Sequence, residues 1–325
     1  MTKVKIGIIG TGYIGGVHSR IHAGIENSEV CALYDIVQER AERVSKAVGG
    51  KVCRSREELF ESCDAVLVCT PNKTHVEIAA DALRHGKHVF CEKPFAIGVE
   101  DARLLLGEAE KSGTVFQVGH NRRFAPVYGK LKELVSQDQP HSAHIKMNRG
   151  ELLNPVWTGD VDVTGGFLYE TTIHLFDMIR YQFGEIEELV AYGSTHEYPE
   201  PDEFSIIFRF KNGFHCTFAS SSDASWIFPF ERIEVFCHHR TIVTEEMEKL
   251  LDSQGYGPDF ETHSFHMHEK EERWGYVQED RAFIDAILNN TNAPVTAEDG
   301  FKSVELVESV YKAIESGKRI RFGRK

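Results

Sequence analysis

The sequence is short of positive charge: 37 Lys and Arg residues stand against 50 Asp and Glu residues, a formal net charge of −13. Such an acidic balance disfavours nucleic acid and anionic membrane surfaces as partners. No apolar run approaches the ~20 residues that a membrane-spanning helix needs. The amino-terminal residues begin a strand and lack the longer apolar core of a signal peptide. We therefore expect a soluble, cytoplasmic protein that binds neither nucleic acid nor membrane.

Cysteine motifs are also missing. The seven cysteines are an odd number and include no C-x-x-C pair, which argues for reduced thiols in a cytosol-like compartment. The run from His263 to His268 has an H-x-x-H-x-H spacing that fits no fixed zinc template, and no cysteine lies nearby to complete a set. We interpret this run as a solvated loop and predict no metal site.

The length of 325 residues exceeds that of one ordinary domain, so two domains are expected. Up to about Gly119 the predicted strands alternate with helices, whereas after about Phe124 strands follow one another with short turns. This change predicts one domain over residues 1–122 and a second over residues 123–325.

A glycine motif follows the first predicted strand. Val4 to Ile9 is β-branched and apolar, and it leads directly into Gly10-Thr11-Gly12-Tyr13-Ile14-Gly15, with a helix predicted from Ile14 to about Ala23. In a G-x-G-x-x-G motif the first glycine allows a tight turn and the second lets the backbone approach a pyrophosphate. The third allows close packing, and the helix N-terminus faces the phosphates. The pattern predicts a dinucleotide site.

The second predicted strand, Val30 to Tyr34, ends at Asp35. An acidic residue at this distance after the glycines typically bonds the hydroxyls of the adenosine ribose. Ile36 follows it, with no adjacent Arg or Lys to neutralise a 2′-phosphate. The sequence therefore favours NAD, with NADP less favoured.

Two polar segments follow later strands of the same α/β pattern. Alternating strands and helices predict a parallel, doubly wound sheet, whose ligands bind at the carboxyl ends of the strands. Thr70 to His75 and Glu92-Lys93-Pro94 lie at such ends, so Lys93 would stand where cofactor and substrate meet. The Lys93–Pro94 bond can be cis. For the ring of His75 we expect capping or packing rather than catalysis.

The second half contains consecutive strand patterns, which suggest a mostly antiparallel sheet. The predicted strands are His141 to Arg149, Phe204 to Phe210, Phe214 to Ser220, Glu231 to Phe236 and Thr241 to Thr244. Helices are predicted at about Ala125 to Val135, Val277 to Leu288 and Glu298 to Ser316.

A titratable pair lies in this half, after Gly165-Gly166. If the chain is helical from about Tyr169, Glu170 and His174 stand one turn apart on one face, with Asp177 a further turn along. A carboxylate one turn from an imidazole can fix its tautomer and raise its basicity, as a general base requires. The alternative is a surface pair that only stabilises the helix. We interpret Asp177 as structural.

Four motifs in order resemble the glucose–fructose oxidoreductase, inositol dehydrogenase and rhizopine-catabolism (Gfo/Idh/MocA) family. They are the glycine motif from Gly10 to Gly15, T-P-N-x-x-H from Thr70 to His75, E-K-P from Glu92 to Pro94, and Gly119-His120-Asn121-Arg122-Arg123-Phe124. The resemblance covers essentially the whole chain. It implies an α/β protein with an N-terminal Rossmann domain and a C-terminal α+β domain that carries a large, mostly antiparallel open sheet.

The resemblance also implies NAD(P) chemistry on a sugar, cyclitol or related polyol, and a homodimer or homotetramer assembled through the C-terminal sheet. In this family a helix supplies a catalytic histidine with a carboxylate four residues before it, and His174 matches that histidine. The usual residue at the earlier position is Asp, whereas this sequence has Glu170. We expect His174 to take the hydroxyl proton, Glu170 to orient it, and Lys93 to hydrogen-bond the reacting oxygen.

The remaining site residues are assigned by position. The predicted cofactor contacts are Gly10, Thr11, Gly12, Tyr13, Ile14, Gly15, Asp35, Ile36, Thr70, Pro71, Asn72, His75, Glu92 and Lys93. The predicted substrate contacts are Asn121, Arg122, Arg149, Trp157, Thr171 and Tyr276.

Two other functional classes stay open. Some relatives hold NAD tightly and use a transient oxidation to cleave a glycosidic bond, which yields no net NADH. A nucleotide-sensing protein could keep the Rossmann domain without chemistry, although the retention of Lys93 and His174 argues against it.

Overall fold

The computed structural model describes residues 3–149, 156–225 and 229–323. The chain forms two compact units. The first comprises the chain up to Asn121 together with Tyr276–Val304, and the second comprises Arg122–Gly275 and the chain from Glu305 onward. The prediction had placed the whole of residues 123–325 in one domain, so the return of residues 276–304 to the first unit is a difference.

The first unit is built on a six-stranded parallel sheet in the order β3-β2-β1-β4-β5-β6. Its strands are β1 (Val4–Ile9), β2 (Ser28–Tyr34), β3 (Lys51–Val52), β4 (Ala65–Val68), β5 (His88–Glu92) and β6 (Phe116–Gly119). The helices between them are α1 (Tyr13–Gly24), α2 (Gln38–Val48), α3 (Arg56–Ser62), α4 (His75–Arg84) and α5 (Val99–Ser112). This strand order is that of a dinucleotide-binding Rossmann sheet. The predicted doubly wound parallel sheet is confirmed.

Local sequence accounts for the helix ends. The side chain of Ser55 accepts a hydrogen bond from the Glu58 N–H at 3.3 Å and caps α3, a helix that the sequence analysis did not predict. At the other end of the unit, α5 stops at Gly113, whose φ of 66° is the left-handed conformation that favours glycine.

The second unit contains a nine-stranded sheet in the order β14-β13-β12-β11-β7-β10-β9-β8-β15. Its first strands are β7 (Ser142–Asn148), β8 (Ile186–Ser194), β9 (Glu203–Phe210), β10 (His215–Ser221) and β11 (Glu231–Cys237). They are followed by β12 (Arg240–Glu245), β13 (Lys249–Gln254), β14 (Glu261–Ser264) and β15 (Ile320–Arg321). Among these strands only β7 and β10 pair in parallel, which confirms the mostly antiparallel sheet. The predictions had omitted β8, β13 and β14, and β14 takes up part of the predicted His263–His268 loop.

The helices of the second part of the chain are α6 (Pro126–Ser136), α7 (Val161–Thr164), α8 (Ile173–Phe183), α9 (Lys270–Arg273), α10 (Tyr276–Asn289) and α11 (Ala297–Ser316). On α8, Phe176 packs against Phe208 and Phe218 of the sheet, with ring centroids 5.6 and 5.2 Å apart. The nine-stranded sheet is therefore covered by α8 on one face, and its aromatic residues form the core of the second unit.

Helix α10 belongs to the first unit because its apolar face completes that core. Phe283 and Ile284 are buried in the same cluster as Ile6, Ile8 and Leu67 of the parallel sheet. The sequence shows that α10 has an apolar face, but the face does not specify which sheet covers it, and this explains the misplaced boundary.

Candidate functional site

The glycine turn between β1 and α1 leaves no room for a side chain at two of its three motif glycines. Gly10 has a φ of +87°, and a Cβ there would lie 2.5 Å from the Cys69 carbonyl oxygen. A Cβ on Gly15 would lie 1.9 Å from the Gly10 carbonyl oxygen, so the first turn of α1 packs directly on the loop. A Cβ on Gly12 would meet no heavy atom within 4 Å. The turn is therefore closely packed at Gly10 and Gly15 and open above Gly12, as a pyrophosphate at the helix N-terminus would need.

Replacing Gly15 by alanine is expected to destabilise the protein strongly, because the clashing group is the backbone carbonyl of Gly10. We expect a loss of about 3 kcal/mol in the free energy of unfolding, at the upper end of ordinary overpacking effects. Gly12→Ala is the matched control: it should leave the midpoint of thermal unfolding nearly unchanged while weakening NAD binding. Equal stability of Gly15→Ala and the unmodified protein would contradict this turn geometry.

Asp35 is fixed at the end of β2 by backbone donors. Its carboxylate accepts hydrogen bonds from the N–H and the hydroxyl of Thr11, at 2.8 and 3.1 Å, and from the N–H of Val37 at 2.8 Å. Ile36 beside it is 90% exposed. A fixed acceptor next to an exposed apolar side chain suits an adenosine ribose and its base.

The two predicted contacts on α1 diverge. Tyr13 is exposed at the start of the helix, whereas Ile14 packs against the apolar core of the first unit. This placement argues against a side-chain contact between Ile14 and the cofactor.

The His75 ring contacts the segments that follow two neighbouring strands, β4 and β5. Its Nδ1 lies 2.8 Å from the Pro94 carbonyl oxygen and its Nε2 lies 2.8 Å from the Thr70 carbonyl oxygen, and the residue is 1% exposed. Burial lowers the pKa of His75, although the two carbonyl contacts oppose this. Both ring nitrogens of His75 therefore face backbone carbonyl oxygens, whereas the sequence predicts a contact with the cofactor. Near it, Asn72 is also buried, while Pro71 is exposed and Thr70 half-buried.

Glu92 and Lys93 differ in exposure. Lys93 is half-buried, and its peptide bond to Pro94 is cis. Glu92 is buried: its Oε2 accepts a hydrogen bond from the Lys93 N–H at 3.1 Å, and its Oε1 lies 2.9 Å from Nε2 of His18. The carboxylate of Glu92 is thus engaged inside the first unit, which argues against the predicted direct contact with the cofactor.

His18 and Asp280 are not among the residues that the sequence predicts for the site. His18 is buried on α1, and its Nδ1 lies 2.9 and 3.0 Å from the two carboxylate oxygens of Asp280 on α10. The position of His18 three residues after Gly15 was the available signal, but no sequence pattern joins it to a residue 262 positions away.

In the second unit, the candidate general base lies on an exposed stripe of an otherwise buried helix. From Phe167 to Arg180, every residue except Glu170 and His174 is buried, and these two are half-buried. Two titratable side chains thus share the accessible side of a segment whose remaining residues pack in the core.

The helix does not begin as predicted. Leu168–Thr172 forms a π-helical turn before α8, so Glu170 lies in the wider turn and His174 in the first turn of α8. Such π turns are uncommon and are frequently found at functional sites. Gly166 precedes the turn with a φ of +98°, and a Cβ there would lie 2.6 Å from the Glu200 carboxylate. The backbone at Gly166 is therefore in a conformation that favours glycine.

Three predicted substrate contacts are buried. Asn121, Arg122 and Thr171 are each 1% exposed. The guanidinium of Arg122 is bonded to the Glu231 carboxylate at 2.9 Å and lies 5.5 Å from the Trp274 ring. Arg122 thus forms a core ion pair of the second unit, and these placements argue against direct substrate contacts.

The other predicted substrate contacts are accessible. Trp157 is exposed, and Arg149 and Tyr276 are half-buried. The Arg149 guanidinium lies over the rings of Phe230 and Trp274, at 4.7 and 5.2 Å from their centroids. Asp177 instead binds Arg123 through both carboxylate oxygens, at 2.6 and 2.7 Å, which is a structural role.

Within residues 3–149, 156–225 and 229–323, no group of three or more His, Cys, Asp or Glu side chains is arranged to hold a metal ion. None of the helices in the described part of the chain is long and apolar enough to cross a membrane.

Comparison with known proteins covers nearly the whole chain. Residues 4–120 match the model of the oxidoreductase family with an NAD-binding Rossmann fold, and residues 132–322 match that of its C-terminal alpha/beta domain. The chain is 29% identical to "Myo-inositol 2-dehydrogenase" of Thermotoga maritima, over 98% of each chain. It is 27% identical to "Inositol 2-dehydrogenase" of Rhizobium meliloti, again over 98% of each chain.

A solved structure agrees with these matches. The crystal structure of a "probable dehydrogenase from Thermotoga maritima" aligns with a TM-score of 0.81 and 27% identity, over 98% of both chains. The glycine turn and Asp35 both lie within the part of the chain that matches the NAD-binding Rossmann fold. The chain belongs to the Gfo/Idh/MocA family and is an NAD-binding oxidoreductase related to inositol dehydrogenases.

Proposed function

We propose that this protein oxidises a hydroxyl group of a cyclitol, sugar or related polyol with NAD, and that Lys93 and His174 handle the proton. The observation that carries the proposal is the stripe in the second unit: Glu170 and His174 are the accessible residues of a segment that is otherwise buried. Burying so much of the segment fixes the backbone beneath these two side chains. A pre-positioned imidazole with a carboxylate neighbour is what proton removal from an alcohol needs.

Each side chain has a separate task in this proposal. When bound, NAD accepts the hydride that leaves the substrate carbon. His174 takes the hydroxyl proton at an imidazole nitrogen, and Glu170 orients the ring and stabilises its charged form. The ammonium of Lys93 donates a hydrogen bond to the same substrate oxygen and stabilises its alkoxide character.

NAD is proposed over NADP because of the surroundings of Asp35. Its carboxylate is held by Thr11 and Val37, and the neighbouring side chain is the exposed Ile36. A 2′-phosphate would face this carboxylate with no cation supplied by the residue after it.

The experiment is a spectrophotometric assay of cofactor reduction with NAD or NADP and a panel of inositols, aldoses and sugar acids. Reduction of NAD by one class of polyol, with slower reduction of NADP, supports the proposal. A preference for NADP would overturn the argument from Asp35 alone. No net reduction with any compound, together with NAD that co-purifies with the protein, would favour the glycosidase class, and binding of NAD without any turnover would favour a sensing role.

We also propose that the protein is a homo-oligomer that assembles through the open face of its nine-stranded sheet. Tyr192 and Ile207 on this face are 76% and 54% exposed, and Thr217 and Ala219 lie beside them on β10. Apolar and small side chains on an open sheet face favour burial against a second copy.

The double variant Tyr192→Glu with Ile207→Glu is expected to shift the protein to a monomer, because the buried carboxylates would be unpaired at the interface. Light scattering coupled to gel filtration measures the change. Leu104→Glu is the control, since Leu104 is an exposed apolar residue of α5 in the first unit. A monomeric unmodified protein would contradict the assembly.

A further inference from the structure

A chain of buried charged side chains runs through the first unit and ends at Lys93. Asp280 lies 2.9 Å from Nδ1 of His18, Nε2 of His18 lies 2.9 Å from Glu92, and Glu92 accepts the Lys93 N–H at 3.1 Å. Asp280 and His18 are fully buried. The groups alternate as carboxylate, imidazole and carboxylate, and the last carboxylate accepts a hydrogen bond from the backbone N–H of Lys93.

The geometry defines the protonation of His18. A carboxylate only accepts hydrogen bonds, so both ring nitrogens can donate to their carboxylates only in the imidazolium form. Burial is the largest influence and lowers the pKa of His18. The charge of Asp280, the hydrogen bonds to Asp280 and Glu92, and the charge of Glu92 together raise this pKa well above its usual value.

The pKa of Glu92 is shifted in the opposite direction from that of His18. Burial raises the pKa of its carboxyl, but the hydrogen bond and charge of His18, with the charges of Lys93 and His75, lower it below the usual value. His22, whose Nε2 lies 3.6 Å from Asp280, has a pKa lowered by burial and by the charge of His18, with Asp280 opposing. The buried thiols of Cys69 and Cys91 have raised pKa values.

Neighbouring groups pack closely around the buried side chains of His18 and Glu92. A Cβ on Gly119 would lie 3.0 Å from the Glu92 carboxyl carbon, so the glycine makes room for the carboxylate. The His18 ring lies between Phe90, at 5.0 Å and 60°, and the edge of Tyr276, at 5.8 Å and 87°. The rings of Phe90 and Tyr276 and the backbone at Gly119 therefore confine the buried charges that Glu92 links to Lys93.

We propose that His18 and Asp280 are positioning residues that, through Glu92, hold Lys93 in place at the sheet edge. The inference rests on the proposed function, in which Lys93 binds the reacting oxygen. If His18 and Asp280 only held α10 against α1, their hydrogen bonds would be sufficient. If they position the ammonium of Lys93, the charges of Asp280, His18 and Glu92 are required as well.

Charge and hydrogen bonding can be separated in one variant. In Asp280→Asn with Glu92→Gln, a neutral His18 can donate to one amide oxygen and accept from the other amide, so the hydrogen bonds persist while all three charges vanish. We expect a midpoint of thermal unfolding close to that of the unmodified protein and retained NAD affinity. We also expect a kcat about tenfold lower with myo-inositol, a size typical of coupling through intermediate residues. An unchanged kcat would overturn the proposal.

A control variant separates positioning from general destabilisation. Tyr128→Phe removes a buried hydrogen bond to Glu231 in the second unit. It should lower the unfolding midpoint without lowering kcat per folded protein. If it lowers kcat as much as the charge-free variant does, the positioning role is contradicted.

Two measurements need no substrate, so they test the positioning role even if the proposed function is wrong. Nitrogen NMR of histidine-labelled protein with NAD bound, assigned with His18→Gln, should find His18 as imidazolium at a pH well above the usual histidine pKa of about 6.5. The rate at which acetic anhydride labels Lys93, relative to Lys73, should change in the charge-free variant. A neutral His18, or an unchanged labelling ratio, would overturn the proposal even if myo-inositol is not a substrate.

Discussion

Replacing His174 with alanine is expected to lower kcat by about 10²- to 10⁴-fold, the range for loss of a general base. The reason is geometric: His174 and Glu170 are the accessible side chains of the segment Phe167–Arg180, so the helix offers no other imidazole there. The affinity for NAD should stay nearly unchanged, because the predicted cofactor contacts lie in the first unit. Steady-state kinetics and NADH fluorescence titration measure the two quantities.

The control for helix integrity is Tyr181→Phe, near the other end of α8. It keeps the ring beside Arg123 and Lys132 and should retain full turnover. Glu170→Gln should have a smaller effect than His174→Ala, since Glu170 acts through the histidine. Near-normal turnover of His174→Ala would remove His174 from the mechanism.

Replacing Lys93 with methionine is expected to lower kcat by about 10²-fold or more, as for an electrostatic donor to a developing oxyanion. Methionine keeps the apolar stem of the half-buried side chain and removes only the ammonium, so a loss of turnover is attributable to charge and hydrogen bonding. The KM for substrate should also rise, because the same hydrogen bond forms before reaction. Steady-state kinetics over a range of substrate concentrations separates kcat from KM.

Lys73→Met is the matched control, since Lys73 is an exposed lysine at the neighbouring strand end. It should leave kcat unchanged. Combining Lys93→Met with His174→Ala should cost much less than the product of the single effects if both groups act on one proton transfer, because residues that act as a unit are non-additive. Full additivity would indicate that they act in independent steps.

The parts of the fold that depend on local sequence were predictable. The glycine turn and the acid that follows β2 depend on residues close in the chain. The spacing of Glu170 and His174 predicts that they share a helix face, and both are half-buried in a segment that is otherwise buried. The π turn from Leu168 to Thr172 was not predicted from the sequence.

The parts that depend on distant contacts were not predictable. Arg122 looked like a substrate contact because it follows the last Rossmann strand, yet Glu231, far along the chain, draws it into the core. The link between His18 and Asp280 has the same origin. Burial decides whether a polar residue is a ligand or a packing group, and one sequence does not state which side chains will be buried together.

The most direct test of the proposed hydride transfer uses a polyol substrate that carries deuterium on the carbon that is oxidised. We expect the label to appear at C4 of the reduced nicotinamide of released NADH, in an amount equal to the product formed. Product formation in which no label reaches the nicotinamide would contradict hydride transfer between substrate and NAD.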